Sequence, residues 1–329
     1  MTDEAEFTRL TDPFRAELLA HCYRMLGSVQ DAEDQVQETM IRAWRSYGDF
    51  EGRASLRTWL YRIATNACLR ALENRGRRPL PSGLGAPGGS PDEPLAGGRE
   101  VPWLEPIPDH LTHSGLADPA SVVAFRAGLR LALVAALQYL PARQRAVLIL
   151  RDVLQWRAAE VADLLGTTTT AVNGLLIRAR ARIEQAGLGQ DEIREPAAAG
   201  QRALLDQYAA AFENADAAAL AQLLTRDAVF EMPPLLTWFA GRDRISGFLG
   251  TRVLGQPGDF KLVPAAANGQ PGFAGYLRGR DGRHHAHAVQ VLTVRGGQIA
   301  HVVSFNQPEL FEVFNLPQAL APHDAGRPA

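Results

Sequence analysis

Residues 157–183 read RAAEVADLLGTTTTAVNGLLIRARARI. Val161, Leu164 and Leu165 recur at helical spacing, and the pattern stops at Gly166. Gly166, Thr167 and Thr168 make a tight turn. A second helix then buries Val172, Leu176 and Ala179 at the same period. Its opposite face carries Thr170, Asn173, Ile177, Arg178 and Arg182. This is the pattern of a helix-turn-helix, which lays its second helix in the major groove of DNA. Generic helical hairpins share the pattern, so the remainder of the chain has to decide between them.

Charge favours DNA as a partner. The chain of 329 residues has a formal net charge of only −2, but the charge is segregated. Residues 40–80 hold nine arginines against Asp49, Glu51 and Glu73, and residues 121–187 hold nine against Asp152, Glu160, Asp163 and Glu184. From Gly200 onward, eleven basic residues balance eleven acidic ones. Codon bias accounts for arginine over lysine, since Lys261 is the sole lysine. It does not account for two basic blocks followed by a neutral half. The blocks suit phosphate contact; the neutral half does not.

The pattern along the chain predicts two helical segments and an α+β tail. PFRAELLAHCYRMLG and SVQDAEDQVQETMIRAWRSY read as helices, with Gly27 as a stop and Ser28 as a cap. LRTWLYRIATNACLRALENRGRR reads as a striped helix with a basic end. Gly, Pro and Ser then dominate a linker without a packed core. Within it, PWLEPIPD (102–109) sets Trp103 beside Leu104, as a docking spot or as a pair packed on a neighbouring domain. After a shorter second linker, helices give way to strand-forming runs with glycine turns. At roughly 100–200 residues per domain, the length allows two or three domains. No apolar run reaches the roughly 18 residues a membrane helix needs. The acidic start MTDEAEFTRL is no signal peptide. Cys22 and Cys68 form no disulfide or metal pattern, so a reducing cytoplasm is the expected compartment.

DAEDQVQETMIRAWR (31–45), FEGRASLRTWLYRIATNACLRALENRGRR (50–78) and LPARQRAVLILRDVLQWRAAEVADLLGTTTTAVNGLLIRARARI (140–183) together resemble sigma-70-type initiation factors of bacterial RNA polymerase. The resemblance is to the extracytoplasmic-function (ECF) group, which keeps only the second and fourth sigma domains. It implies that the helix from Asp31 binds the polymerase clamp, through the charges of Asp31, Glu33, Asp34 and Glu38 and the apolar Met40 and Ile41. It implies that the next block holds unstacked minus-ten bases through the loop bearing Phe50 and through Arg53, Arg57 and Arg62. Trp44 and Trp59 are expected in the core. The helix-turn-helix is expected to read the minus-thirty-five element, with Thr170, Asn173 and Arg178 at bases and Arg180 and Arg182 on phosphates. Asn173-Gly174 stands where the family often has basic or hydroxyl residues, and Gly174 offers no side chain for base readout. The implied partners are RNA polymerase core, at its clamp and flap, and promoter DNA; no membrane is involved.

The segment after Gly200 resembles SnoaL-like domains of the nuclear transport factor 2-like superfamily, cones built from a curved sheet and helices. Together with PWLEPIPD it is similar to an ECF subgroup in which such a tail regulates the factor from within the chain. Eight histidines occur, three of them in DGRHHAHAVQV (281–291). Strict alternation along a strand puts His285 and His287 on one face with Val289 and Val291, and His284 on the other. A two-residue turn at Gly296-Gly297 pairs Leu292 with His301 and sets His301 on the His284 side. That geometry and the lack of a zinc-spaced cluster argue against a metal, and no cofactor is expected. Glu231, Trp238, His285 and His287 are candidates to line a pocket for a small-molecule ligand, with Asp227 near its mouth.

The architecture predicted is two all-α sigma domains, the second with a helix-turn-helix, plus an α+β cone-shaped SnoaL-like domain. The expected boundaries are 1–76 for sigma domain 2, 77–118 for the Gly/Pro-rich linker and 119–187 for sigma domain 4. A short linker at 188–200, the SnoaL-like domain at 201–316 and a tail at 317–329 complete the chain. The expected role is a sigma factor controlled by its own C-terminal domain, not an enzyme. The alternative keeps the DNA-binding half and makes the tail an active small-molecule enzyme. A conventional repressor would leave residues 31–78 unexplained.

Overall fold

In a computed structural model, residues 4–52, 54–73, 76–112, 125, 127–185 and 198–321 are described. The chain forms two compact units, and their boundaries cut across the expected linker. One unit contains Met1–Arg78 and Leu104–Gly189; the other contains Pro79–Trp103 and Gln190–Ala329.

The first unit is helical. Its N-terminal part comprises α1 (Glu4–Thr11), α2 (Arg15–Leu26), α3 (Val29–Ser46) and α4 (Leu56–Leu72). Ser28 caps α3 by accepting from the Asp31 amide, and Ser55 caps α4 by accepting from Thr58. Leu18, Cys22, Met25, Val36, Leu60 and Cys68 fill the space between these helices. The second part comprises α5 (Leu131–Leu137), α6 (Ala142–Leu148), α7 (Ala158–Leu165) and α8 (Thr169–Gln185). Gly166 ends α7 in the left-handed conformation that the short turn into α8 requires.

Two buried arginines join the two parts. Arg24 of α2 donates from Nε to the Gly128 carbonyl at 2.9 Å, and its guanidinium lies 5.0 Å from the Phe125 ring centre. In the other direction, Arg145 of α6 donates to the Met25 carbonyl at the end of α2. It also donates to the Gln138 side chain at 2.8 Å and to the carbonyls of Gln138 and Leu140. Burial lowers the pKa of both guanidinium groups to about 10, so both stay charged at neutral pH. The joint is close at Gly27, whose φ is +72°. A Cβ there would lie 2.9 Å from Leu104 and 3.1 Å from Gln138. Tyr61 packs against Trp156 with rings 5.4 Å apart, and Arg62 donates to the Asp163 carbonyl at the end of α7.

The second unit holds α9 (Ala198–Glu213), α10 (Ala217–Leu223) and α11 (Arg242–Phe248), with the short α12 (Leu310–Val313) near its end. Its strands are β1 (Leu224–Glu231), β2 (Trp238–Ala240), β3 (Phe260–Pro264), β4 (Gly272–Arg278), β5 (His284–Arg295) and β6 (Gln298–Phe305). They form one sheet in the order β2-β1-β6-β5-β4-β3, with β1 and β6 parallel and the other pairs antiparallel. One face packs on the helices through Tyr208, Phe212, Phe230, Phe248, Phe273, Leu292 and Val302. Phe239 and Phe248 stack at 4.5 Å, and Phe212 meets Phe260 edge-on at 5.1 Å. The space between sheet and helices is therefore filled by aromatic side chains.

Two bulges change the side-chain geometry that strict alternation predicts. Gly275 pairs with Ala288 but Tyr276 pairs with Ala286, so His287 is the extra residue. Past it the faces exchange: His284 joins the side of Val289 and Val291, and His285 takes the other. A second irregularity follows Thr293, and His301 pairs with Thr293, not Leu292. That sets His301 on the face of Val291 and Val303.

Two measurements check the helical unit. His21 is fully buried, with Nε2 2.9 Å from Thr65 Oγ1. Burial, then the charges of Arg24 and Arg57, lowers its pKa from 6.5 to about 3. Between those values the unfolded chain binds a proton that the folded chain refuses, so stability falls as pH falls below 6.5. The slope is at most about 1.4 kcal/mol per pH unit, and urea titrations of His21→Gln between pH 6.5 and 5 should show a flatter dependence. Arg145→Ala leaves several buried carbonyls without donors and should lower the unit's unfolding free energy by about 2–4 kcal/mol. Unchanged urea midpoints would refute the role given to Arg145.

Candidate functional site

Three sets of residues bear on function: the acidic helix α3, the arginines of α4 and α8, and the face of the tail sheet that carries Glu231.

On α3, Glu33 and Glu38 are half-buried and Asp34 is exposed, while Met40 is half-buried beside Ile41 at 47% exposure. Glu38 pairs with Arg42 one turn on. Asp31 instead binds Arg78 at 2.7 Å. Glu105 approaches the same arginine at 3.5 Å and accepts from the Val29 amide at 3.1 Å, closing the start of α3. Trp44, expected in the core, is 38% exposed: Phe7 of α1 packs against it at 5.2 Å with the ring planes 64° apart, and part of the ring stays open. Trp44 and Ile41 therefore add apolar surface to the acidic helix. Aromatic spacing alone did not separate Trp44 from a core residue, because α1 covers one side of the ring.

The aromatic loop is assembled around Trp59. Phe50 lies 4.8 Å and Tyr47 6.3 Å from its ring, and Trp59 is half-buried. Arg53 falls outside the described residues. Arg57 binds Glu17 with both carboxylate oxygens and lies 4.9 Å over Tyr61, while Arg62 is held at α7. On α8, Thr170, Asn173, Arg178 and Arg182 are exposed, and Arg180 binds Asp152 through two hydrogen bonds of 2.7 and 2.9 Å. Beside the joint of the two helical parts lies a cleft of about 550 Å³ lined by Arg42, Asn66, Arg70, Glu73 and Arg143, among others. Sequence reasoning did not single out these arginines, because they come from three helices far apart in the chain.

In the tail, the four residues read as pocket-lining are not brought together. Glu231 ends β1 on the face of Val303 and is fully buried. His301 Nε2 lies 2.7 Å from its Oε1, and the amide of Ser82 donates to its Oε2 at 2.7 Å. Trp238 pairs with Glu231 across β1 and β2 and donates from Nε1 to the Gly85 carbonyl at 3.1 Å. His285 is exposed and pairs with Asp281 beside the β4–β5 turn, while His284 Nε2 lies 2.9 Å from the Gly258 carbonyl. His287 meets Phe260 edge-on at 5.7 Å, and burial holds it below the ordinary histidine pKa. His285 lies six positions of β5, roughly 20 Å of strand, before Val291, which pairs with the Glu231 partner Val303. Asp227 is engaged by Arg295 at 2.6 Å. Among the described residues, no three His, Cys, Asp or Glu side chains gather as metal ligands.

Residues 79–103 run beside the end of β1, the loop at 232–237 and β2. Beyond Ser82 and Gly85, the Gly88 amide donates to the Trp238 carbonyl and the Ala96 amide to Thr237 Oγ1, both at 2.8 Å. Leu236 donates to Ala96, and Gly98 donates to Pro234. Trp103 is 4% exposed, donates to the Gly98 carbonyl and packs near Leu236. The segment has no α-helix or strand ladder of its own, and several of its backbone groups are satisfied by β2 and by the loop that precedes it. PWLEPIPD is thus divided: Trp103 is buried in the tail unit, and Leu104 is buried under Gly27 in the helical unit.

Comparison with known proteins agrees with this geometry. Residues 10–78 match sigma-70 region 2, residues 130–183 match sigma-70 region 4, and residues 205–302 match a SnoaL-like domain. The matches define a sigma factor with a SnoaL-like tail. It is 49% identical over 317 residues to the ECF RNA polymerase sigma factor SigG of Mycobacterium tuberculosis, covering 96% of this chain and 85% of that one. It is 28% identical over 313 residues to SigJ of the same organism, covering 91% of each chain. The crystal structure of SigJ superposes with a TM-score of 0.62 at 25% identity, over 96% of this chain and all of that chain. The chain belongs to the ECF RNA polymerase sigma factors. Among the described residues, no helix is long and apolar enough to cross a membrane.

Glu231→Ala removes the acceptor of the Ser82 amide and leaves the His301 ring without its carboxylate. Limited proteolysis should then cut within residues 79–103 several-fold faster, because the net value of a hydrogen bond such as that from Ser82 is about 0.5–1.5 kcal/mol. An unchanged cleavage rate there would show that Glu231 does not hold the segment.

Proposed function

We propose that this ECF sigma factor is held closed in the free chain and that its tail controls the opening by gripping residues 79–103. In this reading, α3 docks on polymerase through Asp34, Glu38, Ile41 and Trp44. The Phe50 loop with Arg53, Arg57 and Arg62 takes the minus-ten strand. Helix α8 takes the minus-thirty-five element through Thr170, Asn173, Arg178 and Arg182, with Arg180 on phosphate once it leaves Asp152.

The observation that carries the proposal is the gripped connector, together with its length. The two promoter elements are, by their names, about 25 base pairs apart, or about 85 Å at the rise of DNA. A compact helical body of about 165 residues has a radius of gyration of roughly 15 Å. Its two readers cannot reach both elements while Arg24 and Arg145 hold them together. Residues 79–103, fully extended, span at most about 80–90 Å, enough for the separation once they leave the sheet. The tail therefore acts on promoter choice through a length of chain, and a ligand or partner shifts the balance only by binding the two arrangements unequally.

The same observations weigh against an enzymatic tail. The aromatic cluster fills the space where substrate would sit, Glu231 is already saturated by Ser82 and His301, and His285 and His287 lie far from it. RNA polymerase core and promoter DNA are the partners in this reading, and the bacterial cytoplasm is the compartment.

Run-off transcription with purified core polymerase tests it. The full-length chain should direct initiation at a restricted set of promoters. Glu231→Ala should raise promoter-specific output several-fold by freeing the connector. Absence of promoter-specific initiation together with absence of core binding contradicts the sigma role in this chain. Equal output from the two chains contradicts control by the tail.

A further inference from the structure

Ile177 stands apart on α8. Among the described residues it is the most exposed large hydrophobic side chain, at 67%. Its helix buries apolar residues along another stripe, at Val172, Leu176 and Ala179. Ile177 shares the outer stripe with Thr170, Asn173 and Gly174, which lie seven, four and three residues before it, and Arg178 follows directly. An exposed β-branched residue gains nothing from solvent and weakens the helix slightly. In the middle of a polar and cationic face, it has a use only when that face meets a surface with an apolar feature.

Gly174 adds to the geometry. A Cβ there would stand 3.4 Å from Arg178 Nη1. The arginine thus lies back along the helix over the glycine, and the Ile177 side chain remains uncovered. The major groove offers one apolar feature on base edges, the C5-methyl of thymine, and an apolar side chain on a recognition helix is its natural contact.

We infer that Ile177 is a specificity-determining residue that reads one thymine of the upstream promoter element through the base methyl group. The inference rests on α8 as the reader of that element. Asn173 and Arg178 supply hydrogen bonds on the same face, and Ile177 supplies discrimination that hydrogen bonding cannot: thymine and uracil present the same donors and acceptors and differ only in the methyl group.

The experiment uses holoenzyme formed from the full-length chain. The upstream element is first selected from randomised promoter duplexes. Each thymine in it, on either strand, is then replaced singly by deoxyuridine, and affinity is measured by competition. One replacement should weaken wild-type binding about fourfold, the value of one buried methyl group, and the others should have little effect. Ile177→Ala should bind the thymine promoter about as weakly as wild type binds that deoxyuridine promoter, and should not distinguish the two. Because Ile177 is exposed, this substitution leaves the core of α8 intact, and an unchanged melting temperature checks that. The inference is overturned if the selected element has no thymine, if no replacement affects wild type, or if Ile177→Ala keeps the wild-type response. Failure to select any upstream element would instead overturn the role of α8 itself.

Discussion

The closed state of the helical unit depends on two buried arginines that bind carbonyl groups instead of carboxylates. Arg24 reaches from α2 to Gly128, and Arg145 reaches from α6 to the end of α2. The second contact lies where the dipole of α2 is negative, which favours a cation. A guanidinium held this way is only partly hydrogen-bonded, since Arg24 Nη1 and Arg145 Nε have no partner. It carries an uncancelled charge in a desolvated place, and burial lowers both pKa values. Such an interaction positions the two halves with high directional accuracy at a modest net gain. That is a suitable property for a joint that, in the proposed function, has to part. A purely hydrophobic joint of the same size would be harder to open and less exact in register.

Several features make sense as consequences of that joint. Gly27 admits Leu104 and Gln138 where any side chain would collide with them. Gly128 is pressed by Val153 and by Arg24 itself, with a Cβ there only 2.6 Å from Val153. Arg57, Arg62, Arg180 and Asp31, each a candidate for an outside contact, are occupied by Glu17, Asp163, Asp152 and Arg78. These exposed or half-buried pairs are individually weak. In the proposed function, phosphate would displace the internal partners of the three arginines, and polymerase that of Asp31. The connector enters the tail immediately after Arg78 and leaves it immediately before Leu104. In the proposed function, the tail thus holds residues 79–103 of the chain between the two readers.

The helical architecture was legible because helix periodicity and caps are local. Gly27, Ser28 and Gly166 act as their residue types predict, and Ser55 caps α4 without having been singled out. The helix-turn-helix faces followed from the same period: Val172, Leu176 and Ala179 are buried, while Thr170, Asn173, Ile177 and Arg178 are exposed. The tail sheet was legible in kind but not in register. One extra residue at His287 reverses the faces of His284 and His285, and alternation carries no signal for a bulge. Glu231 was visible as a candidate, yet its partners Ser82 and His301 lie 149 and 70 residues away. The segment containing Ser82 looked structureless because it has no hydrophobic period; its order comes from backbone bonds to another part of the chain. Trp44 was misread for a related reason, since exposure depends on how far α1 reaches across it.

The central claim is that two promoter readers are clasped in the free chain and parted in the working complex. Pulsed electron spin resonance between labels at Gln37 on α3 and Gln185 at the end of α8 measures this directly. Both positions are exposed, and the native Cys22 and Cys68 are buried and out of reach of the labelling reagent. The account predicts one short, narrow distance in the free chain and a distance longer by tens of ångströms in holoenzyme bound to promoter DNA. The same distance in both states would contradict it.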